Sequence, residues 1–389
     1  MATASATIQT PSPMSVAEHN EPAAVDLLPD RRRLGLRLAL VAAVLTGTGM
    51  AIASLPGLGE VRDRLGDASP GWLAAALALQ VASCLAFVVV FRGTYSRRMP
   101  WRLSYDVGMA AQGTNALLPA GGASGLALGG WALSRAGMPT AHVARRTVAL
   151  YVLTSSVNFF TAAIAGGLLA FGILSGADSF ALTAGPAALA VVAIAAALAL
   201  PRVLRGDREP ASESSSRFAR LLATGSAALG GGITDARELV RSRNSLAIGG
   251  ALGYMAFDLA ALGAAFTAIG DMPPVGVLML AYVLGQLGGL IPLPGGVGGA
   301  DGDLIAAFVL YGTPLGAAAA AVLAYRAFQL GLPALLGALA VIRLPGVLRR
   351  APDVGGLVDP LPLCPRVERP ARAPLGASVP AGLGGASAA

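Results

Sequence analysis

Six uninterrupted apolar stretches, 36–58, 71–91, 147–172, 180–200, 245–269 and 315–342, dominate the chain. Each reaches the about 20 residues that an α-helix, rising about 1.5 Å per residue, needs to cross a hydrocarbon core. Backbone in lipid has to satisfy its own N–H and C=O groups, so runs of this length fold as helices and bury one another in a bundle. Only 13% of the 389 residues are charged, against about 25% in a soluble domain, too few to cover a water-facing surface. The predicted fold class is therefore an all-α polytopic membrane protein with six full crossings.

Two further apolar stretches, 104–134 and 275–313, are interrupted at their middles by Pro119-Ala120-Gly121-Gly122 and by Pro292-Leu293-Pro294-Gly295-Gly296, with Gly298 just beyond. Their halves are mostly too short to cross, residues 104–118 and 302–312 making helices of only about 17 to 22 Å against a core of about 30 Å, so each stretch reads as a re-entrant, broken-helix hairpin. A pair of full crossings would also return the chain to its starting side, and only the helix lengths favour the hairpin. The order is then span, span, hairpin, span, given twice, with the first hairpin opening from inside and the second from outside. Halves of about 36–172 and 180–342 in opposite orientation form an inverted-topology repeat, in which broken helices meet near the midplane. Kinked packing helices with no transport role are the plain alternative.

The cations are all arginine, 28 of them, and their distribution orients the chain. With the N-terminus inside, 22 fall in inside segments and only Arg62 and Arg64 fall outside, which is the positive-inside pattern and sets both termini in the cytoplasm. The run after Arg31, Arg32 and Arg33 resembles a signal peptide ending at Ala51-Ile52-Ala53, but its length and the spans that follow favour an uncleaved first crossing. Residues 1–35 and 346–389, rich in Pro, Gly, Ala and Ser, are expected to be disordered tails. Segment 201–243 is expected as a cytoplasmic linker, either solvated or carrying an interfacial amphipathic helix around Arg217, Phe218, Arg220, Leu221 and Leu222. Aromatic residues make up 5% of the chain, too few for a stacking platform, and no nucleic-acid partner is expected.

Ionisable groups at membrane depth are costly, and each is a functional candidate. Asp258 sits near the centre of the fifth stretch and Arg326 near the centre of the last. They either neutralise each other as a structural ion pair, or Arg326 faces a cavity and grips a lipid phosphate with its planar fork, with Gln329 one turn on. Tyr325 reads as packing. Asp301 and Asp303 open the short helix after the second turn, where they either cap it and complement its dipole or act as coupling and headgroup groups. Gln112 and Asn115 on the first hairpin and Gln286 on the second either line the same cavity or satisfy backbone freed by the prolines. The Gly turns offer N–H groups to an anion. Small-residue spacings, Gly125 with Gly129 and Gly249 with Gly253, mark helix packing.

Enzyme signals are poor. His19 and His142 are isolated, Cys84 and Cys364 share no ligand spacing, and no nucleotide loop or nucleophile elbow is present. No catalytic residue, metal or cofactor is expected.

The stretch Leu290-Ile291-Pro292-Leu293-Pro294-Gly295-Gly296-Val297-Gly298-Gly299-Ala300-Asp301, with Tyr311-Gly312 and Tyr325-Arg326, resembles the signature of the lysylphosphatidylglycerol synthase transmembrane, flippase-like family. Asn115-Ala116-Leu117-Leu118-Pro119 with Gly121-Gly122, then Leu133-Ser134-Arg135-Ala136-Gly137, is similar to that family's N-terminal motif. The resemblance covers about residues 36–345 and implies a bacterial or archaeal plasma-membrane protein that moves charged or glycosylated lipids between leaflets. Two features depart from the pattern: Asp301 stands where the family usually has Glu, and the charged residues common after the first Pro-Gly turn are missing. The segment after residue 345 is too short for the aminoacyl-transferase domain of the full-length synthases, so lysyl transfer is not expected of this chain alone. The expected function is a stand-alone lipid translocase with membrane lipids as partners. The alternatives are a membrane-embedded transferase on a polyprenyl or phospholipid substrate, using Asp301 or Asp303 as base or metal ligand, and a non-transporting partner of an envelope-lipid enzyme.

Overall fold

A computed structural model of the chain describes residues 35, 39, 59–117, 123–176, 179–203, 217–288, 299–350 and 356. The first expected span apart from residue 39, both Pro-Gly turns (Pro119, Gly121, Gly122, Pro292, Pro294, Gly295, Gly296, Gly298) and the bulk of both tails lie outside the described residues. Within them the regular structure is entirely helical: α1 Gly59–Gly66, α2 Pro70–Tyr95, α3 Trp101–Leu117, α4 Ala123–Arg135, α5 Thr140–Ala170, α6 Phe180–Val203, α7 Arg217–Arg241, α8 Ser245–Ile269, α9 Val275–Gly288, α10 Gly299–Leu310 and α11 Leu315–Arg350. Five of these, α2, α5, α6, α8 and α11, are long and apolar enough to cross a membrane, and they fall on five of the six expected stretches. Many of their large apolar side chains, among them Leu189, Val191 and Val192 on α6 and Phe160 and Ile164 on α5, face outward. An apolar exterior on long apolar helices is the mark of a multi-pass membrane protein.

Local chemistry sets the helix ends. Pro70 occupies the first turn of α2, where its missing N–H is no loss. Asn244 caps α8: its side-chain oxygen accepts from the Ala247 N–H at 3.2 Å, while its Nδ2 donates to the Gly93 carbonyl of α2 at 2.9 Å. At the other end of α8 the chain turns off through Gly270, at φ 93°, a left-handed conformation open to glycine.

Each interrupted stretch is a pair of short helices. α3 and α4 have 17 and 13 residues, α9 and α10 have 14 and 12, lengths of about 18 to 26 Å. The arms of each pair lie against one another. In the first, Asn115 Oδ1 accepts from the Gly125 N–H at 2.7 Å and from the Ser124 hydroxyl at 3.3 Å. In the second, Gly285 leaves room for Leu304, and the Phe266 and Phe308 rings meet at 4.6 Å between centroids over the pair.

Two apolar cores result. One joins the second half of α2 to α3, α4, the starts of α5 and α8 and the end of α11. The other joins α9 and α10 to the ends of α5 and α8 and the start of α11. Each pair of short helices is thus built into its own core, and the α3–α4 pair sits at the arginine-rich end. The opposite end is closed by α1, where Arg64 pairs with Asp271 and with Glu60.

Two backbone crossings hold the halves together. Gly93 and Gly250 let α2 and α8 touch, since a Cβ on either would overlap the other helix's backbone at Ala247 or Val90. Gly113 and Gly337 do the same for α3 and α11. The spacing Gly249 with Gly253 points to the right helix but one position off, because Gly249 faces open space.

The segment expected as a linker, 201–243, holds the 25-residue helix α7. It is packed along α5 through an almost fully buried carboxylate. Asp235, 1% exposed, binds Arg145 and lies 3.9 Å from Arg146, itself 4% exposed, and Arg237 donates to the Leu198 carbonyl near the end of α6. Glycines give this stretch an irregular look in the sequence; packing on α5, rather than intrinsic propensity, holds the helix.

Candidate functional site

Between the two cores, near the middle of α8, lies Asp258, 3% exposed. A carboxylate taken out of water is stable only with donors around it. Two phenols supply them: Tyr282 on α9 donates to Asp258 Oδ2 at 2.5 Å and Tyr325 on α11 donates to the same oxygen at 2.7 Å. Gln80 on α2, 2% exposed, adds a third polar contact. Tyr254, one turn before Asp258 on α8, meets Gln112 near the tip of α3, and Gln286 near the tip of α9 meets Tyr282. Cys84 completes the apolar wall beside the carboxylate.

The polar groups therefore come from α2, α3, α8, α9 and α11, and the first helix of each short pair, α3 and α9, contributes a glutamine beside one of the tyrosines. Of the residues singled out in the sequence, Asp258, Gln112 and Gln286 converge here, with Arg326 and Gln329 on its border.

Arg326 and Asp258 do not form the direct ion pair weighed from the sequence. The Arg326 guanidinium donates to Gln329 Oε1 one turn along α11 and lies 5.9 Å from the centre of the Tyr325 ring, acting on Asp258 across a longer gap. Pro333, inside α11, has no N–H to give the Gln329 carbonyl, which leaves a polar backbone group one turn from Arg326. Tyr325, read from the sequence as packing, is a direct partner of the carboxylate.

The remaining candidates go elsewhere. Asn115 is consumed in tying the two arms of the first hairpin. Asp303 is exposed on the first turn of α10. Asp301 lies on the same turn, and its side chain is outside what the structure describes. Among the described residues no three His, Cys, Asp or Glu side chains gather as a metal site would require.

The sequence reading missed Tyr282, Tyr254 and Gln80. One signal was available: a phenol in a membrane span needs a partner for its hydroxyl, and Tyr254 precedes Asp258 by four residues, which puts the two on one helix face.

A multi-pass helical bundle with two pairs of short helices and a buried polar cluster between them is the class of protein this architecture defines. The chain belongs to the lysylphosphatidylglycerol synthase TM region family, whose model matches residues 34–337. No curated protein matches the chain.

Proposed function

We propose that the chain is a stand-alone lipid translocase, carrying a polar-headgroup lipid between leaflets of a bacterial plasma membrane, with both termini in the cytoplasm. In this reading residues 36–58 supply a sixth crossing, and α3–α4 and α9–α10 are re-entrant hairpins of an inverted repeat. Its main support is the buried polar cluster between the two helix pairs: Asp258 is held by Tyr282 and Tyr325, with Gln112 of α3 beside Tyr254 and Gln286 of α9 beside Tyr282.

The packing of the helices agrees with such a repeat. α2 corresponds to α8, and they cross each other at Gly93 and Gly250. α3 packs on α11 as α9 packs on α5, and the two cores exchange roles at the two ends of the bundle. In a translocase of this build a headgroup passes the midplane along Arg326, Gln329 and the Asp258 cluster, while Asp301, Asp303 and the Gly turns meet it on the far side.

The test is leaflet exchange of labelled phospholipids and polyprenyl-phosphate lipids in proteoliposomes, for wild type, Asp258→Asn and Arg326→Ala. Protein-dependent exchange that drops at least about tenfold in folded variants is the expected result, the equivalent of about 1.4 kcal/mol at the barrier. Exchange of no lipid by correctly folded protein overturns the translocase reading. Exchange that persists in Asp258→Asn removes the cluster from the path.

A further inference from the structure

A polar cavity of about 840 Å³ opens at the arginine-rich end between the start of α3 and the end of α11, away from the Asp258 cluster. On α11, Arg343, Gly346 and Arg350 recur at helical spacing and form one stripe; on α3, Trp101, Arg102 and Asp106 face them. Three guanidinium groups thus line the cavity together with one carboxylate. Asp106 is 8% exposed, and Arg343 and Arg102 act on it through space. Among the described residues none of the three arginines has an ion-pair or hydrogen-bond partner, in contrast to Arg64, Arg145 and Arg237.

The cavity has further features of an anion seat. The first turn of α3 opens onto it, and amide N–H groups at a helix start have no partner within the helix and carry partial positive charge. Gly346 leaves its floor clear, since a Cβ there would meet nothing. Arginine forks match phosphate oxygens two at a time. The cavity also lies at the end of the membrane helices, the depth at which phospholipid headgroups sit.

We infer that this cleft binds a phosphate-bearing ligand through Arg102, Arg343 and Arg350. The shared chemistry is the phosphate, whether it belongs to an anionic phospholipid headgroup or to a free phosphate compound. The inference concerns binding alone and stands apart from translocation, whose test uses Asp258 and Arg326.

The experiment titrates the purified full-length protein with phosphatidylglycerol, phosphatidylcholine and inorganic pyrophosphate, and reads bound ligand by native mass spectrometry. Phosphatidylglycerol or pyrophosphate is expected to bind, with phosphatidylcholine at least about fivefold weaker than phosphatidylglycerol. Arg343→Gln with Arg350→Gln is expected to weaken binding about tenfold or more, the loss of charge-assisted hydrogen bonds. Asp106→Asn, which removes the carboxylate that competes for Arg343 and Arg102, is expected to tighten it. If the double arginine variant does not fold, Arg102→Gln and Asp106→Asn carry the test in opposite directions. Pyrophosphate that binds alone and displaces the lipid assigns the site to a free phosphate compound; lipid that pyrophosphate does not displace assigns it to a headgroup. Binding equal in wild type and arginine variants, or binding of neither probe, overturns the site.

Discussion

Two tyrosine hydroxyls make the Asp258 carboxylate tolerable in an apolar surround, and each should be felt when removed. Tyr325→Phe and Tyr282→Phe are isosteric apart from the donor, so each deletes one hydrogen bond to a buried carboxyl group without opening a cavity. The expected cost is about 1–3 kcal/mol apiece, seen as a lower thermal midpoint of the detergent-purified protein; an unchanged midpoint in both would show that the phenols do not hold the carboxylate. Asp258 itself was legible in the sequence because a carboxylate in an apolar run is too costly to sit there without a partner or a task. The tyrosines were not, since a phenol in an apolar run reads equally as a ring filling space. Arg326 shows the opposite limit: its membrane-depth charge was plain, but a sequence does not say whether it reaches α8 or folds back along α11 to Gln329. Asp235 carries a second residue-scale prediction. Asp235→Ala takes the carboxylate away from the buried Arg146, an expected loss of about 3–5 kcal/mol, whereas Asp235→Leu together with Arg146→Met replaces the pair by apolar volume and recovers most of it. Arg145, partly exposed, keeps access to water in both cases. Chemical or thermal unfolding of the single and double variants decides the matter, and a double variant as unstable as the single one would refute the pairing.

At the scale of elements, close helix crossings rest on glycines whose exact position matters. Gly250→Ala pushes a methyl into the Val90 backbone of α2, whereas Gly249→Ala, one residue away, points into open space. Overpacking at a tight crossing costs about 1–3 kcal/mol, while replacing an exposed helical glycine with alanine is neutral or favourable by up to about 1 kcal/mol. Opposite signs from adjacent positions, read by thermal unfolding, are the expected outcome; equal effects would mean that α2 and α8 do not cross here. The same two glycines define what small-residue spacing can reveal. It marks a helix with a narrow face, but successive residues turn about 100° around the axis, and the choice of face is made by the partner helix, which the spacing does not contain. Helix lengths were legible for a firmer reason, since hydrocarbon thickness imposes them and five predicted stretches became long helices. The helix α7 was half legible: its apolar and arginine residues suggested an amphipathic helix, but the buried ion network with α5 depends on Arg145 and Arg146, about ninety positions earlier in the chain.

Over the whole molecule, the arginine distribution and the packing make one joint claim about sidedness. Arg98, in the turn between α2 and α3, belongs to the end of the bundle that carries the first hairpin, whereas α1 is joined to the opposite end through Arg64 and Asp271 and lies with Glu60 against Gly316 at the start of α11. The helix α2 between them has 26 residues, about 39 Å, more than a bilayer core of about 30 Å. Positive charge resists translocation, so the side bearing Arg92, Arg97, Arg98 and Arg102 is the cytoplasmic one under the proposed orientation. Single cysteines introduced as Asp63→Cys and Arg98→Cys, in a chain with Cys84→Ala and Cys364→Ala, are therefore expected to react with a membrane-impermeant maleimide from opposite sides of intact cells or right-side-out vesicles. Asp63→Cys labels without permeabilisation, and Arg98→Cys labels only after it. The reverse pattern would keep the bundle and invert its orientation, moving the arginine cleft to the outer leaflet. Labelling of both from one side would mean that α2 does not span, and would remove the geometric basis for two hairpins entering from opposite leaflets.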